Sequence, residues 1–423
     1  MSTTGHRGGA PPTKKIDALT GQVNHRRANT QLTLIALTQI LGLAVWFAAN
    51  AIAPALRQEW LLSASATVWL TATVQVGFAV GAVTASVLAL PDRLPAPLLM
   101  AGSALGISAC TAAFALLSSG LTTALPLRFL TGVLLAGVYP IGMKLTASWT
   151  RPIDRGRAFG VLIGSLTLGS AMPHLVSSFG GLPWRSVMLV ASGMALVAAL
   201  VTVCGVRTGP LLVAAAPARP RQMLEGFRAR RPLLVNIGYL GHMWELYAFW
   251  TWLPAFLMAV HANREIADVA PIVFTTVGLA GVVGCLLGGW AADRYGRPTA
   301  AAAALLVSGL CAIASPIVFV APPSVAAALL VVWGAAVIAD SGVFSAALSE
   351  AAEGRYVGTA LTMQTAVGFL LTVASIQLVP LAADLVGWQF AFWVLVPGPV
   401  LGVAAMALLR RDSLKPPAAT AAS

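Results

Sequence analysis

The stretch 232–260 is a long apolar run with a carboxylate at its middle. On a helix, five of its residues recur at steps of three or four and so share one aromatic, ionisable face: Tyr239, His242, Glu245, Phe249 and Trp252. About 20 residues cross a bilayer core as a helix, and a carboxylate at that depth costs about 2.5 to 3.5 kcal/mol unless it meets a partner or a wet cavity. We expect this face to line a solute cavity; in the alternative, Glu245 only bonds to a neighbouring helix.

Such a face could carry protons. A buried carboxylate that meets water in one state and not in another can load and release a proton. Glu245 is the first candidate for this role and Asp340 the second, and His242 could share or relay the proton because histidine titrates near neutrality. His242 and Glu245 also have the spacing of two metal ligands, but nothing else in the chain resembles a metal cluster, so no metal site is predicted.

Composition assigns the chain to the membrane. It has 423 residues, of which 58% are hydrophobic and 9% charged, and its mean hydropathy is +0.84. A soluble protein would carry roughly 25% charge. The four cysteines are scattered through apolar segments without a CxxC or Cys/His cluster, so neither disulfides nor zinc are expected. No G-x-x-x-x-G-K-[ST] motif occurs, so ATP is not expected to drive the protein.

The apolar segments predict an all-α membrane protein of twelve transmembrane helices. Six lie on each side of a basic linker, at 32–56, 65–89, 97–118, 122–148, 157–179 and 185–206, and at 232–260, 268–290, 298–320, 324–348, 356–383 and 388–409. The predicted domains are a disordered cytoplasmic tail (1–31), an N-terminal six-helix bundle (32–206), a basic cytoplasmic linker (207–231), a C-terminal six-helix bundle (232–410) and a cytoplasmic tail (411–423).

The basic residues predict the orientation of these spans. With the N-terminus inside, 21 of the 26 Lys and Arg residues fall in cytoplasmic segments and three on the other side, as the positive-inside rule requires. The net charge of +12 therefore sets topology, and nucleic acid is not expected as a partner. Similar residues recur about 200 positions apart, such as Asp92-Arg93 and Asp293-Arg294, which indicates two parallel six-helix repeats.

The run from Gly289 to Arg297 fits G-x-x-x-D-R-x-G-R and lies in the predicted loop between spans eight and nine. It resembles the signature loop of the major facilitator superfamily, which uses this loop to latch the cytoplasmic side. Its glycines permit a tight turn, and its arginines can anchor at the membrane surface. The first-half copy keeps Asp-Arg but has Leu88, Pro95 and Ala96 in place of Gly, Gly and Arg. The candidate cytoplasmic gate residues are Asp293, Arg294, Gly296, Arg297, Asp92, Arg93 and Lys144.

A second resemblance lies in span four, where Arg128-Phe-Leu-Thr-Gly132 is similar to the family's R-x-x-x-G motif, often tied to proton coupling. In the alternative, Arg128 braces the bundle. The family resemblance implies that spans one, four, seven and ten line the cavity. The candidate substrate-binding residues are therefore Trp46, Asn50, Arg128, Tyr139, Tyr239, Phe249 and Trp252. His174 in span five either contributes to the site or bonds within its own bundle.

Lys144 and Asp340 both lie toward the cytoplasmic ends of their spans. One hypothesis is that they pair across the two halves when the cytoplasmic side is closed. In the alternative, Lys144 extends to the lipid headgroups.

These features predict secondary active transport of a small organic solute, with an anion as one candidate, by alternating access coupled to protons, as symport or antiport. The rival transporter is a drug/proton antiporter that exports lipophilic compounds; a membrane enzyme or a passive channel is a more remote alternative. The expected partners are the substrate, protons and the lipid bilayer, and no cofactor is expected. The predicted setting is a bacterial inner membrane, with a multi-pass monomer whose termini are cytoplasmic.

Overall fold

The structure, a computed structural model, describes residues 25–151, 154–179, 182–212, 229–263, 268–351 and 357–414. Within these residues all regular elements are helices. The first half contains α1 (His25–Leu43), α2 (Ala64–Val87), α3 (Ala96–Leu117), α4 (Leu121–Trp149), α5 (Arg155–Ser177) and α6 (Trp184–Gly205). Two short helices, Ala48–Ala51 and Ala53–Glu59, follow α1, and Leu90–Arg93 joins α2 to α3.

The second half contains α7 (Arg230–Asn263), α8 (Val269–Tyr295), α9 (Arg297–Ile313), α10 (Pro323–Ala351), α11 (Val357–Val386) and α12 (Pro397–Leu414). Part of α8 is a π-helix, Phe274–Ala280. A short helix, Ile317–Val320, follows α9, and the short helices Trp388–Ala391 and Phe392–Leu395 precede α12.

Nine helical stretches of the described residues are long and apolar enough to cross a membrane. The remaining three long helices do not reach this combination of length and hydropathy. The helix α9 has 17 residues, α1 is ended by a turn at residues 44–47, and α7 carries polar side chains at its centre. Leucines and valines on the outer surfaces of these helices are exposed, among them Leu98, Leu286 and Val400, as expected where lipid replaces water. The all-α membrane fold is confirmed, and the number twelve stays a prediction.

The ends of the two bundles differ from the predicted boundaries. The polarity of residues 25–31 predicts a disordered tail, whereas in the structure these residues form the first part of α1. The Gln31 side chain explains this: its amide donates to the Gly205 carbonyl and accepts from the Arg207 amide at the end of α6. At the other terminus, α12 continues to Leu414. The tail up to residue 24 and most of the linker, 213–228, lie outside the described residues.

Glycines repeat the same helix contact in both halves. A Cβ on Gly81 of α2 would overlap the backbone of α4, and one on Gly132 of α4 would overlap the backbone of α2. About 200 residues later, Gly284 of α8 and Gly334 of α10 stand in the same relation. Small residues let membrane helices approach closely, so these positions fix α2 on α4 and α8 on α10. The two halves meet mainly along α2 with α11 and α5 with α8.

Candidate functional site

Glu245 lies at the centre of α7 and is 1% exposed. Both of its carboxylate oxygens accept hydrogen bonds from the same half of the molecule. The Trp333 indole donates to Oε1 at 2.8 Å, and the Ser308 hydroxyl donates to Oε2 at 2.8 Å. Trp333 belongs to α10 and Ser308 to α9, so this carboxylate faces the interior of the C-terminal bundle.

His242 lies one turn before Glu245 and faces Asp340. The helix α10 is interrupted at Asp340, between the segments Pro323–Ala339 and Ser341–Ala351. The distance from His242 Nδ1 to Asp340 Oδ1 is 2.7 Å, and both side chains are 1% exposed. The two atoms are close enough for an ion pair but are not aligned for a hydrogen bond, and neither His242 Nε2 nor Asp340 Oδ2 has a partner among the described residues. The rings of Tyr239 and Phe344 flank the imidazole at 6.1 and 5.9 Å.

The rest of the predicted α7 face also packs inside the C-terminal bundle. The Phe249 ring lies 4.3 Å from the Trp333 ring, and the Trp252 indole donates to the Ile376 carbonyl of α11 at 2.7 Å. Tyr239 lies against α11, where a Cβ on Gly368 would meet its ring at about 2.5 Å. Most of this face therefore packs within the C-terminal bundle, although Tyr239 also lies within electrostatic range of Tyr139 of the N-terminal half. Spacing identified the residues that share a face but not the neighbour that the face meets.

A different face of α7 meets the N-terminal half. Trp46 and Phe47, in the turn after α1, lie 5.9 and 6.0 Å from the Tyr247 ring, and Phe47 lies 5.6 Å from Trp250. The Asn50 side chain donates to the Thr251 carbonyl at 2.7 Å. The predicted site does not include Tyr247, Trp250 and Thr251. Residues that are three and four positions apart share one face of a helix, so their spacing could have identified this second face.

Rings from α2 and α11 complete this contact. Phe78 lies 4.3 Å from Phe369, and Trp46 lies 5.1 Å from Phe78 and 5.4 Å from Phe369. All of these side chains are buried. We call the six rings the cross-half cluster: Trp46, Phe47, Phe78, Tyr247, Trp250 and Phe369.

Three buried polar atoms around the cross-half cluster have no hydrogen-bond partner among the described residues. The Trp46 indole donates to Gln75 Oε1 at 3.3 Å, and Gln75 Nε2 remains free. Trp250 Nε1 and Asn50 Oδ1 are free as well. Buried polar groups in proteins are nearly always bonded, so this concentration marks the cluster as a candidate binding site.

Arg128 is buried but is not available to a solute in this structure. Its guanidinium donates to three backbone carbonyls: Leu70 at 3.1 Å, Val45 at 3.0 Å and Trp46 at 2.6 Å. Two of these carbonyls lie in the turn after α1. Arg128 therefore braces the N-terminal bundle, as the alternative interpretation had it. Tyr139 lies half-buried at the start of the second part of α4, and His174 is buried in α5.

Lys144 and Asp340 do not pair in this structure. Lys144 Nζ lies 2.6 Å from Asp92 Oδ1 and donates to the Pro91 carbonyl at 2.6 Å, whereas Asp340 pairs with His242. The short connection between α2 and α3 brings Asp92 within reach, which the sequence did not predict. Arg93, another candidate gate residue, is the last residue of the short helix Leu90–Arg93.

The loop after α8 crosses to the other half. A Cβ on Gly156 of α5 would lie 2.9 Å from Asp293 Oδ1, so this carboxylate faces the start of α5. Arg297 pairs with Glu350 of α10 at 2.7 Å. Gly296 has a φ of +84°, which explains the glycine in this turn, and Arg294 precedes it in the last turn of α8. Among the described residues, no group of three His, Cys, Asp or Glu side chains could hold a metal ion.

Residues 35–376 match the family model of the Major Facilitator Superfamily. The niacin transporter NiaP of Acinetobacter baylyi is 27% identical over 293 residues, the probable sulfoacetate transporter SauU of Cupriavidus necator 28% over 223, and the gallate transporter of Pseudomonas putida 26% over 300. The matches cover 61%, 46% and 62% of this chain and 65%, 50% and 65% of those relatives.

Two solved structures share the fold. The crystal structure of the human organic anion transporter MFSD10 (TETRAN) aligns with a TM-score of 0.67 at 16% identity, over 90% of this chain and 99% of that one. A bacterial homologue of the human lysosomal transporter Spinster, inward-facing and unoccupied, aligns with a TM-score of 0.64 at 15% identity, over 92% and 97%. With helices throughout the described residues, segments long and apolar enough to cross a membrane and a family match over most of its length, the chain belongs to the Major Facilitator Superfamily, and it spans about half to two thirds of the length of these curated relatives.

Proposed function

We propose that this protein is a secondary active transporter of small organic acids that works by alternating access and is coupled to protons. The observation that carries the proton coupling is the buried pair of His242 and Asp340, whose near atoms are 2.7 Å apart. The organic-acid class is supported by the relatives named for niacin, sulfoacetate and gallate, which are all acids that carry negative charge at neutral pH.

The His242–Asp340 pair is suited to holding a proton. An imidazole beside a carboxylate can exist with one shared proton or with a second one added, and His242 Nε2 and Asp340 Oδ2 are free to exchange it. Asp340 lies at a helix break within α10, and breaks are where helices of transporters expose ionisable groups to a cavity. A movement of the C-terminal bundle would then bring the pair alternately to water and to the dry interior.

Glu245 takes second place in this proposal, which reverses the order expected from the sequence. Both of its oxygens already accept a hydrogen bond, from Trp333 and from Ser308. Each bond holds one oxygen in place, so an incoming proton finds fewer open positions there than at the free Nε2 atom of His242 and the free Oδ2 atom of Asp340. Glu245 still lies one turn from His242 and can tune the pair by its charge.

We place the chain in the plasma membrane of a bacterium, with both termini in the cytoplasm and with no nucleic acid or ATP among its partners. Support for the orientation comes from the 21 basic residues that fall on one side against three on the other. The loop after α8 and the Arg297–Glu350 pair would then close the cytoplasmic side.

The test is uptake into proteoliposomes under an imposed pH gradient, with niacin, gallate, sulfoacetate and a lipophilic cation as solutes. Asp340→Asn and His242→Gln are expected to abolish pH-driven accumulation while exchange of labelled for unlabelled solute persists. Glu245→Gln is expected to reduce accumulation less. Asp412→Asn is the control, because this surface carboxylate only pairs with Arg230 and its loss should change neither assay.

Two results would contradict the proposal. Full pH-driven accumulation by Asp340→Asn and by His242→Gln would remove the pair from proton coupling. If the wild type moves no organic acid but exports the lipophilic cation, the substrate class is wrong and the drug/proton antiporter is correct.

A further inference from the structure

We infer that the cross-half cluster is a binding site for a planar aromatic acid, in which the free N–H groups of Gln75 and Trp250 bind the carboxylate and the rings of Trp46 and Tyr247 stack on the aromatic face. This inference rests on the proposed transport of organic acids and names the substrate within that class.

Trp46 and Tyr247 form the two walls of a slot, whereas Trp250 stands at a steep angle to Phe47 and to Tyr247. Trp46 is inclined by only 26° to Tyr247 and by 29° to Phe369, and Phe47 by 13° to Tyr247. Nearly parallel rings accept a flat guest, whereas perpendicular rings would not. A guest in contact with both faces needs the rings about 7 Å apart, twice the carbon–carbon contact distance of roughly 3.5 Å. The Trp46 and Tyr247 centroids are 5.9 Å apart, so the slot is nearly closed in this structure.

The slot opens when the two halves move. Trp46 and Phe78 belong to the N-terminal half, and Tyr247, Trp250 and Phe369 to the C-terminal half. A separation of the halves by about 1 to 2 Å at this level would admit an aromatic ring between Trp46 and Tyr247. The transport movement would therefore open and close the site directly.

The orientation of the Gln75 amide is fixed by its neighbour. The Trp46 indole N–H can only donate, so the amide oxygen must face it. The Gln75 Nε2 group is therefore a donor in a buried site, and it has no acceptor among the described residues. Trp250 Nε1 is a second buried donor without an acceptor. A carboxylate brings two acceptor oxygens, which suits two free donors.

Arg128 is a buried positive group of the N-terminal half, and its guanidinium already donates to the carbonyls of Leu70, Val45 and Trp46. An acid would thus be held by neutral N–H groups and by stacking. The free Asn50 Oδ1 atom can accept a bond from a hydroxyl or ring N–H of the same ligand.

The test is ligand binding to the purified protein by isothermal titration calorimetry, with benzoate and nicotinate as aromatic acids. Cyclohexanecarboxylate keeps the charge without an aromatic face, and benzamide keeps the ring without the charge. We expect both aromatic acids to bind at least tenfold more tightly than either counterpart. Equal affinity for benzoate and cyclohexanecarboxylate, or no binding of either aromatic acid, would overturn the inference.

Two variants test the donors. Trp250→Phe keeps a ring but removes the N–H, and Gln75→Glu keeps the acceptor for Trp46 but replaces the donor by a charge that repels a carboxylate. Each is expected to weaken binding of benzoate at least fivefold, with little effect on benzamide. Trp244→Phe is the matched control, because the Trp244 indole donates to the Val394 carbonyl inside the C-terminal bundle. Wild-type affinity in both donor variants, with the fold intact by melting temperature, would sink the assignment.

Failure of this inference can be told apart from failure of the proposed function. Sulfoacetate is an acid without a ring. If sulfoacetate accumulates under a pH gradient while aromatic acids neither bind nor compete, the aromatic site is wrong and organic-acid transport stands. If no acid of either kind accumulates, the proposed function fails as well.

Discussion

Single buried polar residues in this protein differ in whether their hydrogen bonds are used. Arg128 donates to three carbonyls and Glu245 accepts two bonds. His242, Asp340 and Gln75 keep buried atoms without partners. A buried polar atom left unbonded costs about 1 to 3 kcal/mol. The residues with free atoms are therefore the ones that gain most when a proton or a ligand arrives, whereas the saturated ones hold the bundle together.

Arg128→Lys tests the bracing role. Lysine keeps the charge, but its single ammonium cannot reach the carbonyls of Leu70, Val45 and Trp46 with the geometry of a guanidinium. We expect a loss of about 1 to 3 kcal/mol in stability, measured as a lower melting temperature in detergent. Arg185→Lys is the control, because it changes an exposed ion pair with Glu59, and exposed ion pairs contribute little to stability. Equal melting temperatures for Arg128→Lys and the wild type would contradict the brace.

Glu59 gives a pH-dependent contact at the surface. Its carboxylate accepts hydrogen bonds from the Trp184 indole and from Arg185, which lower its pKa below the ordinary value of 4.5. A lowered folded pKa means that the contact is intact above pH 4.5 and is lost as the pH falls through the lower, folded pKa. The melting temperature of Glu59→Gln should therefore lie below that of the wild type at pH 7, and the two should converge as the pH falls through the folded pKa of Glu59. A constant difference across this range would rule out the titration.

Among the helices, close contacts at glycines and breaks within helices decide the architecture. The contacts of α2 with α4 and of α8 with α10 depend on glycines whose missing Cβ lets backbones touch. The breaks occur in the turn at residues 44–47, at 136–138 within α4 and at Asp340 within α10. The first supplies carbonyls to Arg128, and the last holds the carboxylate that faces His242. The helices α4 and α10 therefore each contain both a close glycine contact and a break.

Gly284→Ala is expected to disrupt the pairing of α8 and α10. The added methyl group would overlap the backbone carbonyl of Ala335, which no side-chain rotation can relieve. We expect much less folded protein by size-exclusion chromatography. Gly102→Ala in α3 is the control, since nothing lies within 4 Å of its Cβ position and alanine favours a helix by about 1 kcal/mol. A stable Gly284→Ala protein would show that α8 and α10 can separate.

As a whole molecule, the protein has two halves joined by contacts at different levels. One contact is the hydrogen bond from the Asn50 side chain of the N-terminal half to the Thr251 backbone of α7. The other lies where Asp293 of α8 faces the start of α5. Between them lies the cross-half cluster. The rocking that we propose for the two halves requires these two contacts to break in turn.

Cross-linking tests this movement. In a variant without native cysteines, oxidation of Asn50→Cys and Thr251→Cys to a disulfide should stop transport because the halves can no longer part, and a thiol reductant, which cleaves the disulfide, should restore it. The matched control is Ser108→Cys with Ser192→Cys, whose hydroxyls lie 3.1 Å apart between α3 and α6 of one half. Linking helices that move together should leave transport unchanged. Transport that survives the first cross-link would mean that this contact need not open.

Composition and charge placement alone were enough to predict a polytopic α-helical membrane protein. Lipid exposes apolar side chains and forces backbone polar groups into helices, so hydropathy records the fold class directly. The loop from Gly289 to Arg297 identified the family because its turn and charges depend on local residue types. The sequence also singled out His242, Glu245 and Asp340, since the cost of burying them follows from residue type and depth alone.

The tertiary structure decided which neighbours those residues meet. α7 has buried aromatic side chains on more than one face, so periodicity could not tell that Phe249 and Trp252 pack within their own bundle while Tyr247 and Trp250 meet the other half. The carbonyl partners of Arg128 are backbone atoms, which no sequence pattern marks, and Asp92 reaches Lys144 only because of the path of a short loop. Periodicity fixes directions around one helix, but contacts depend on how several helices pack.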